Sequence, residues 1–187
     1  RGLLKALGDE PESEPVQQLT GDEFYDITIT KSGDIKLDVS RRKLISFLQK
    51  HGFRKYYASS DLIYFVRLEN NIVYRETSKT IQDFIVSCIK EMPYTIPGGA
   101  LRDDLLEKVF RGTNVFFGEN YLHNIETLDF TRQPKVKDHC YFYYFNKWVD
   151  VTANEIQFLD YEDLPWHVWN TQIIDRQSGE YDESLLH

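Results

Sequence analysis

Two segments with helical apolar periodicity enclose a run of short strand-like segments, and this order constrains the fold more than any other feature. The first segment, SRRKLISFLQKHGF, begins at Ser40, a favourable N-cap, and ends at Gly52, where a left-handed residue is wanted. The second, TSKTIQDFIVSCIKEMP, repeats apolar residues with helical spacing over 81–89 and stops at Pro93. The sequence therefore predicts two amphipathic helices with strands before and between them.

The strands between the two helices are expected at residues 53–57, 62–68 and 71–75. Asn70 and Asn71 can adopt the positive φ angles of a tight hairpin, so they are expected to join the last two strands. An earlier hairpin is expected in DITITKSGDIKLDVS around Ser32-Gly33. This order of hairpin, helix, three strands and helix predicts a winged-helix-like α+β unit over residues 25–92.

The second half of the chain reads as helices followed by an antiparallel sheet. A helix with Asp103 and Asp104 in its first turn precedes a further helix at roughly 114–124, and two or three strands with a turn at Asn146-Lys147 follow. The segment WHVWNTQIID then forms a short helix or an extended exit. Charge and composition shift near 93–100, so we expect a second subdomain over 93–187 that leads to a missing downstream domain. Residues 1–24 read as a mobile acidic lead-in.

Aromatic residues are concentrated near the end of the chain. Residues 141–145 are contiguous aromatics, so alternate rings must face opposite sides of a strand that lies between layers or pairs with a neighbouring domain. Trp166 and Trp169 are three residues apart and are expected to share one helical face. Two interpretations stay open for them, core packing and interdomain docking of a following domain.

Charge is distributed unevenly, although the chain as a whole carries a net charge of −8. Residues 31–57 contain 8 basic and 2 acidic side chains, between acidic flanks. The candidate DNA-binding residues are the basic side chains of this middle region and the predicted wing: Arg41, Arg42, Lys43, Lys50, Arg54, Lys55, Arg67 and Arg75. With Tyr56, Tyr57 and Tyr64 between them, they suit phosphate neutralisation with base stacking. The alternative is a solvated helix face balanced by the acidic flanks.

Several common chemistries leave no trace in the sequence. None of the ten glycines precedes a lysine, so there is no phosphate-binding P-loop, and there is no zinc-protease or nucleophile-elbow motif. The acidic pairs read as helix-dipole partners or solvated turns, so no catalytic residue, metal site or cofactor is predicted. No run of 18 apolar residues predicts a membrane span. Two cysteines, Cys88 and Cys140, suggest a reducing cytoplasm rather than a disulfide framework.

The ordered succession of motifs over residues 33–176 resembles a known family. A helix ending in FLQKHGF, a hairpin of YFVR and NIV type, IQDFI, and VDVT leading to WNTQIIDR are similar to the segment just upstream of the superfamily-3 helicase in primase-helicase replication proteins. These proteins are encoded by phages, prophages and other mobile elements, notably of Bacteroides-type bacteria. The position of this segment in the polypeptide is similar to that of the domain that precedes the helicase in poxvirus primase-helicases.

The resemblance implies a non-catalytic linking or accessory domain in DNA replication. Its implied partners are single-stranded or forked DNA and the downstream helicase domain of the same polypeptide, with oligomers forming through that missing domain. The resemblance also implies that the chain is a fragment of an ATP-dependent helicase or primase whose P-loop lies outside this sequence. The implied location is the cytoplasm of a bacterial host cell. The alternative is a winged-helix-like regulatory or protein-interaction module without a replication role.

Overall fold

The computed structural model describes residues 23–178, and it combines helices with mostly antiparallel sheets. This confirms the α+β fold class. The strands are β1 (Tyr25–Ile29), β2 (Ile35–Val39), β3 (Phe53–Tyr57), β4 (Ile63–Glu69), β5 (Ile72–Glu76), β6 (Cys140–Tyr143), β7 (Trp148–Val151), β8 (Ile156–Leu159) and β9 (Val168–Trp169). The helices are α1 (Arg41–Lys50), α2 (Ser78–Glu91), α3 (Arg102–Arg111), α4 (Thr113–Phe116) and α5 (Glu119–Leu122). The sheets have the orders β1-β2, β3-β4-β5-β9 and β6-β7-β8.

The ends of α1 form as the local sequence predicts. The Ser40 side chain accepts a hydrogen bond from the Lys43 backbone N–H at 3.5 Å and caps the helix. After the helix, Gly52 adopts a φ of +83°, and a Cβ atom there would lie 2.3 Å from the Leu68 carbonyl oxygen. Only glycine fits both this conformation and this close approach, so the predicted helix end is confirmed.

The central sheet is built on the predicted hairpin. Asn70 and Asn71 have φ angles of 46° and 63° and connect β4 to β5, as the sequence indicated. Helix α2 then begins with a capping box between Thr77 and Thr80. Its buried face is Ile81, Ile85 and Ile89. The narrower winged-helix-like description of residues 25–92 stays a prediction.

The single helix predicted at 114–124 is wrong, because the chain forms two four-residue helices, α4 and α5. Gly118 lies between them in an extended conformation, with φ −62° and ψ 142°. A Cβ atom at this position would lie 2.6 Å from the Asn114 carbonyl oxygen, so the break requires a close backbone approach that glycine allows. Phe116, the last residue of α4, and Phe117, the residue after it, are both buried.

The C-terminal segment folds back onto the N-terminal half of the chain. Strand β9 pairs in parallel with β5, with Val168 opposite Ile72 and Trp169 opposite Val73. At the other edge of the same sheet, Thr127 forms a parallel bridge with Lys55. The predicted subdomain boundary near 93–100 stays a prediction, and backbone hydrogen bonds connect residues on its two sides.

Three clusters of buried residues make up the core. The largest packs β1, β2, α1, α2 and α3 against one face of the central sheet, and it includes the fully buried Phe24. Of the predicted mobile lead-in over residues 1–24, only Glu23 and Phe24 are among the described residues. The second cluster packs Trp148 and Trp166 between the third sheet and β9. The third lies on the opposite face of the central sheet around Val66 and Val73.

Candidate nucleic-acid interface

The structure divides the eight predicted DNA-binding side chains among different surfaces. Side chains alternate between the two faces of a strand, so neighbours in the sequence separate. Two of the eight, Lys43 and Arg67, are neutralised by carboxylates. Four lie around one groove beside α1. Arg75 lies on the face of the central sheet that is opposite α1. Lys50 is exposed in the last turn of α1, where a cation complements the helix dipole.

Lys43 and Arg67 are held in place by acidic neighbours. The Lys43 ammonium lies 2.6 Å from the Asp26 carboxylate. The Arg67 guanidinium lies 3.0 Å from Glu69 and 3.6 Å from Glu76, and it stacks 5.8 Å from the centre of the Phe53 ring. Their positive charges are largely compensated within the fold, so they are poor candidates for binding phosphate.

A groove with a volume of about 460 Å³ runs between α1 and the segment 119–126. We call it the α1 groove. Its lining residues are Arg42, Ile45, Ser46, Gln49, Tyr121 and Asn124. The Tyr121 hydroxyl donates a hydrogen bond to the Arg41 carbonyl oxygen, which holds α5 against the start of α1. Burial raises the pKa of Tyr121 to about 12, so this hydroxyl stays a donor at neutral pH.

Four cations around the α1 groove keep their charge uncompensated. Arg41 and Arg42 are exposed. Arg54 leaves β3 on the face of the central sheet opposite α1, in one row with Val66 and Arg75, but its guanidinium reaches the Gln49 carbonyl oxygen at 2.6 Å. The Lys55 ammonium donates to the His123 carbonyl oxygen at 2.7 Å. A carbonyl orients a cation without cancelling its charge. Within residues 23–178, no carboxylate forms a salt bridge with any of these four.

The predicted interleaving of tyrosines with these cations is only partly present. Tyr57 is 46% exposed, and the Lys55 ammonium lies 6.0 Å from the centre of its ring. Tyr56 and Tyr64 are directly opposite each other on β3 and β4, but on the other face of the sheet. Arg75 shares that face, and its guanidinium lies 3.9 Å from the centre of the Tyr64 ring. Strand alternation sends Tyr56, Tyr64 and Arg75 away from α1, so these cations and tyrosines do not form one continuous surface.

An aromatic cluster that the sequence did not reveal covers the far face of the central sheet. Phe130 stacks on Trp169 with ring centres 5.6 Å apart, and Tyr56 packs against both rings. The three rings cover Val66 and Val73, which are completely buried. Phe130 lies in the irregular segment before β6 and carries no periodic or motif signal, so only the tertiary fold identifies it.

The two tryptophans predicted to share a helical face lie in different clusters. Trp166 precedes β9 and is 5% exposed, and its indole Nε1–H donates to the Tyr143 hydroxyl at 2.8 Å. Trp169 lies in β9 itself, on the opposite side of the sheet. The shared helical face is wrong because this segment is extended, and its alternate residues point apart. The docking role stays a prediction, although Trp166 has little surface with which to contact a partner.

The third sheet exposes one face that is entirely apolar. Cys140, Val151 and Ile156 form one row across β6, β7 and β8, and Phe142, Val149 and Phe158 form the next row. We call these six residues the apolar sheet face. Phe142, Ile156 and Phe158 are 43%, 59% and 51% exposed, so no described part of the chain covers their outer surfaces. The run of aromatics at 141–145 was the signal for a two-sided strand here.

One member of each acidic group noted in the sequence has a basic partner. Asp103 pairs with Arg102 at 3.4 Å, and Asp160 pairs with Lys147 at 2.6 Å. Over the described range, no three His, Cys, Asp or Glu side chains cluster as metal ligands would. In the same part of the chain, every helix is too short or too polar to cross a bilayer.

Comparison with known proteins leaves the site to be judged on its geometry. No protein-family model, no curated protein and no solved structure matches this chain.

Proposed function

We propose that this chain is a non-catalytic accessory domain of a DNA replication primase-helicase, which engages DNA through the α1 groove. The resemblance of residues 33–176 to the segment that precedes the superfamily-3 helicase supplies the replication context. On this proposal the chain works in the cytoplasm of a bacterial host, beside the ATP-hydrolysing domain of the same polypeptide. This chain itself contributes DNA engagement or helicase coupling rather than catalysis.

The observation that carries the proposal is the set of four uncompensated cations around the α1 groove. Arg41, Arg42, Arg54 and Lys55 are held on two adjoining elements, and two of them are oriented by backbone carbonyls. Ser46, Gln49 and Asn124 add neutral hydrogen-bonding groups beside them. Cations with fixed positions and neutral polar neighbours suit phosphate oxygens better than a carboxylate-rich surface does.

Binding through this groove is expected to be weak and sensitive to salt. Each phosphate neutralised on a single strand contributes about 0.7 to the slope of log affinity against log salt concentration, so four contacts give a slope of about −3. Fluorescence polarisation with labelled single-stranded and forked DNA, measured over a range of salt concentrations, gives both the affinity and the slope.

A matched pair of variants identifies the surface. Arg41→Ala/Arg42→Ala removes two positive charges from the α1 groove. Lys79→Ala/Arg111→Ala removes two positive charges from exposed helical pairs elsewhere. The first variant is expected to weaken binding about tenfold or more and to lower the slope by about 1.4, and the second to change affinity much less. Equal losses for the two variants would show a nonspecific charge effect and refute the α1 groove.

A protein-interaction module without a replication role is the second candidate, and the apolar sheet face favours it. Exposed apolar patches of this kind often mark contacts between proteins. If neither single-stranded nor forked DNA binds the wild-type protein at low salt, the DNA proposal is wrong and this second candidate becomes the better one.

A further inference from the structure

The outer face of the third sheet is apolar, which is unusual for an antiparallel sheet whose other side packs on a core. Its inner face packs Tyr143 and Trp148 into the second core cluster. Its outer face would ordinarily carry polar side chains in contact with water. Instead, the six side chains of this outer face, the apolar sheet face, are those of Cys, Val, Ile and Phe residues. Val149 is the one buried member, at 4% exposure, because it lies between Phe142 and Phe158.

Strand β8 forms an open edge of this sheet. It pairs with β7 on one side, and no other described strand pairs with it. Ile156, Gln157 and Phe158 are all exposed. Natural proteins usually protect an edge with an inward charge, a proline or a bulge, but the strand sequence IQFL has no charge or proline, and its pairing with β7 is regular. The edge can therefore accept another strand.

The surroundings of β8 are strongly acidic. From Asp150 to Asp175, both included, the sequence contains six Asp or Glu residues and no Lys or Arg. Glu155 and Asp160 lie directly before and after β8, and Glu162 and Asp163 are exposed just beyond it. Lys147 pairs with Asp160, which leaves the other carboxylates in excess. This charge disfavours nucleic acid at this edge, and a second copy of β8 would bring the same acidic residues together.

We propose that β8 and the apolar sheet face bind an extended peptide segment with alternating apolar side chains and Lys or Arg at its ends. The segment adds to the sheet as a strand beside β8, so its backbone pairs with the open edge. Its apolar side chains extend the row formed by Phe142 and Phe158. Its basic ends lie near Glu155 at one end of β8 and near Glu162 and Asp163 at the other.

Two labelled probe peptides test the proposal. Both have a core of four alternating Val and Thr residues, which matches the length of β8 and places the charged ends beside its two flanks. One carries two lysines at each end, and the other carries two glutamates at each end. Polarisation with the full chain is expected to show binding of the lysine-flanked peptide about tenfold tighter than the glutamate-flanked one, because about two surface ion pairs are gained. Absence of binding by the lysine-flanked peptide would overturn the proposal.

Two variants locate the site. Glu155→Lys/Glu162→Lys is expected to reverse the preference between the peptides, and Ile156→Thr/Phe158→Thr is expected to weaken both. All four positions are exposed, so the thermal unfolding midpoint should change little. An unchanged preference in the lysine variant would overturn the site. Sedimentation of the wild-type protein adds a further test, because a dimer that Ile156→Thr/Phe158→Thr abolishes would assign the edge to a second copy instead.

Discussion

Replacing Gly52 by alanine is expected to destabilise the protein much more than replacing Gly33, although both glycines have a positive φ. The φ angles are +83° and +90°, so an alanine at either position meets the left-handed conformation, which costs about 1–2 kcal/mol. The surroundings differ. Nothing lies within 4 Å of a Cβ at Gly33, whereas a Cβ at Gly52 would lie 2.3 Å from the Leu68 carbonyl oxygen.

The additional cost at Gly52 follows from the backbone that must move. Ordinary contact begins at 3.4 Å, so the Leu68 carbonyl has to retreat by roughly 1 Å. The Leu68 N–H donates to the Gly52 carbonyl oxygen at 3.0 Å, and losing that bond costs about 1 kcal/mol. Phe53, which is 1% exposed, follows at once and would lose part of its packing. The total is about 3–4 kcal/mol for Gly52→Ala against about 1–2 kcal/mol for Gly33→Ala.

Thermal unfolding followed by far-ultraviolet circular dichroism measures the difference. For a chain of this size, the midpoint should fall by about 10 °C for Gly52→Ala and by about 4 °C for Gly33→Ala. Urea unfolding gives the corresponding free energies. Equal losses would refute the reasoning, because they would show that the left-handed conformation alone determines the cost and that the approach to Leu68 does not matter.

Two other predictions concern pH dependence and catalysis. Burial lowers the pKa of His167 below its ordinary value of 6.5, and its Nδ1 accepts a hydrogen bond from the Thr131 backbone N–H at 2.9 Å. The unfolded chain therefore binds the proton more readily, so this contribution to stability is complete above pH 6.5 and is lost as the pH falls below it. Between about pH 7.5 and pH 5.5, the unfolding midpoint of His167→Gln should fall less than that of the wild type, and an equal fall would contradict the assignment. We also expect no ATP hydrolysis or primer synthesis by the purified chain, because its sequence lacks a phosphate-binding loop; ATP turnover that persists through a second purification would contradict this.

The elements that sequence patterns predicted correctly are those whose signals are local. Ser40 and the pair Asn70-Asn71 act through backbone groups at most a few residues away, and Gly52 ends α1 through its own left-handed conformation. The apolar spacing of α2 likewise predicts its inward face, on which Ile81, Ile85 and Ile89 are buried and Phe84 and Cys88 are half-buried. Such signals are strong because capping, left-handed turns and amphipathic periodicity require only neighbouring residues.

Two elements were predicted wrongly, one for a local reason and one because of a distant contact. The segment 114–124 is divided locally, where Gly118 closely approaches Asn114 four residues before it. Trp169 has helical spacing from Trp166, yet pairing with Val73 draws it into a strand. Local preference is a small free energy, so burial of an aromatic side chain readily overrides it.

The candidate site shows the same division. The sequence indicated a basic middle region, and Arg42 lines one groove while Arg54 and Lys55 bond to the Gln49 and His123 carbonyls beside it. It could not indicate that Asp26 neutralises Lys43, because that carboxylate lies on another element.

By itself, the sequence determined the α+β class, the order of most helices and strands, and the position of the tight turns. Only the tertiary structure decided that β9 joins the central sheet beside β5, that Arg75 and Tyr64 face away from the α1 groove, and that the third sheet leaves an apolar face and an open edge. The physical reason is the range of the interactions. Caps, turns and periodicity act between neighbours in the chain, whereas pairing, burial and charge compensation depend on residues that only the folded chain brings together.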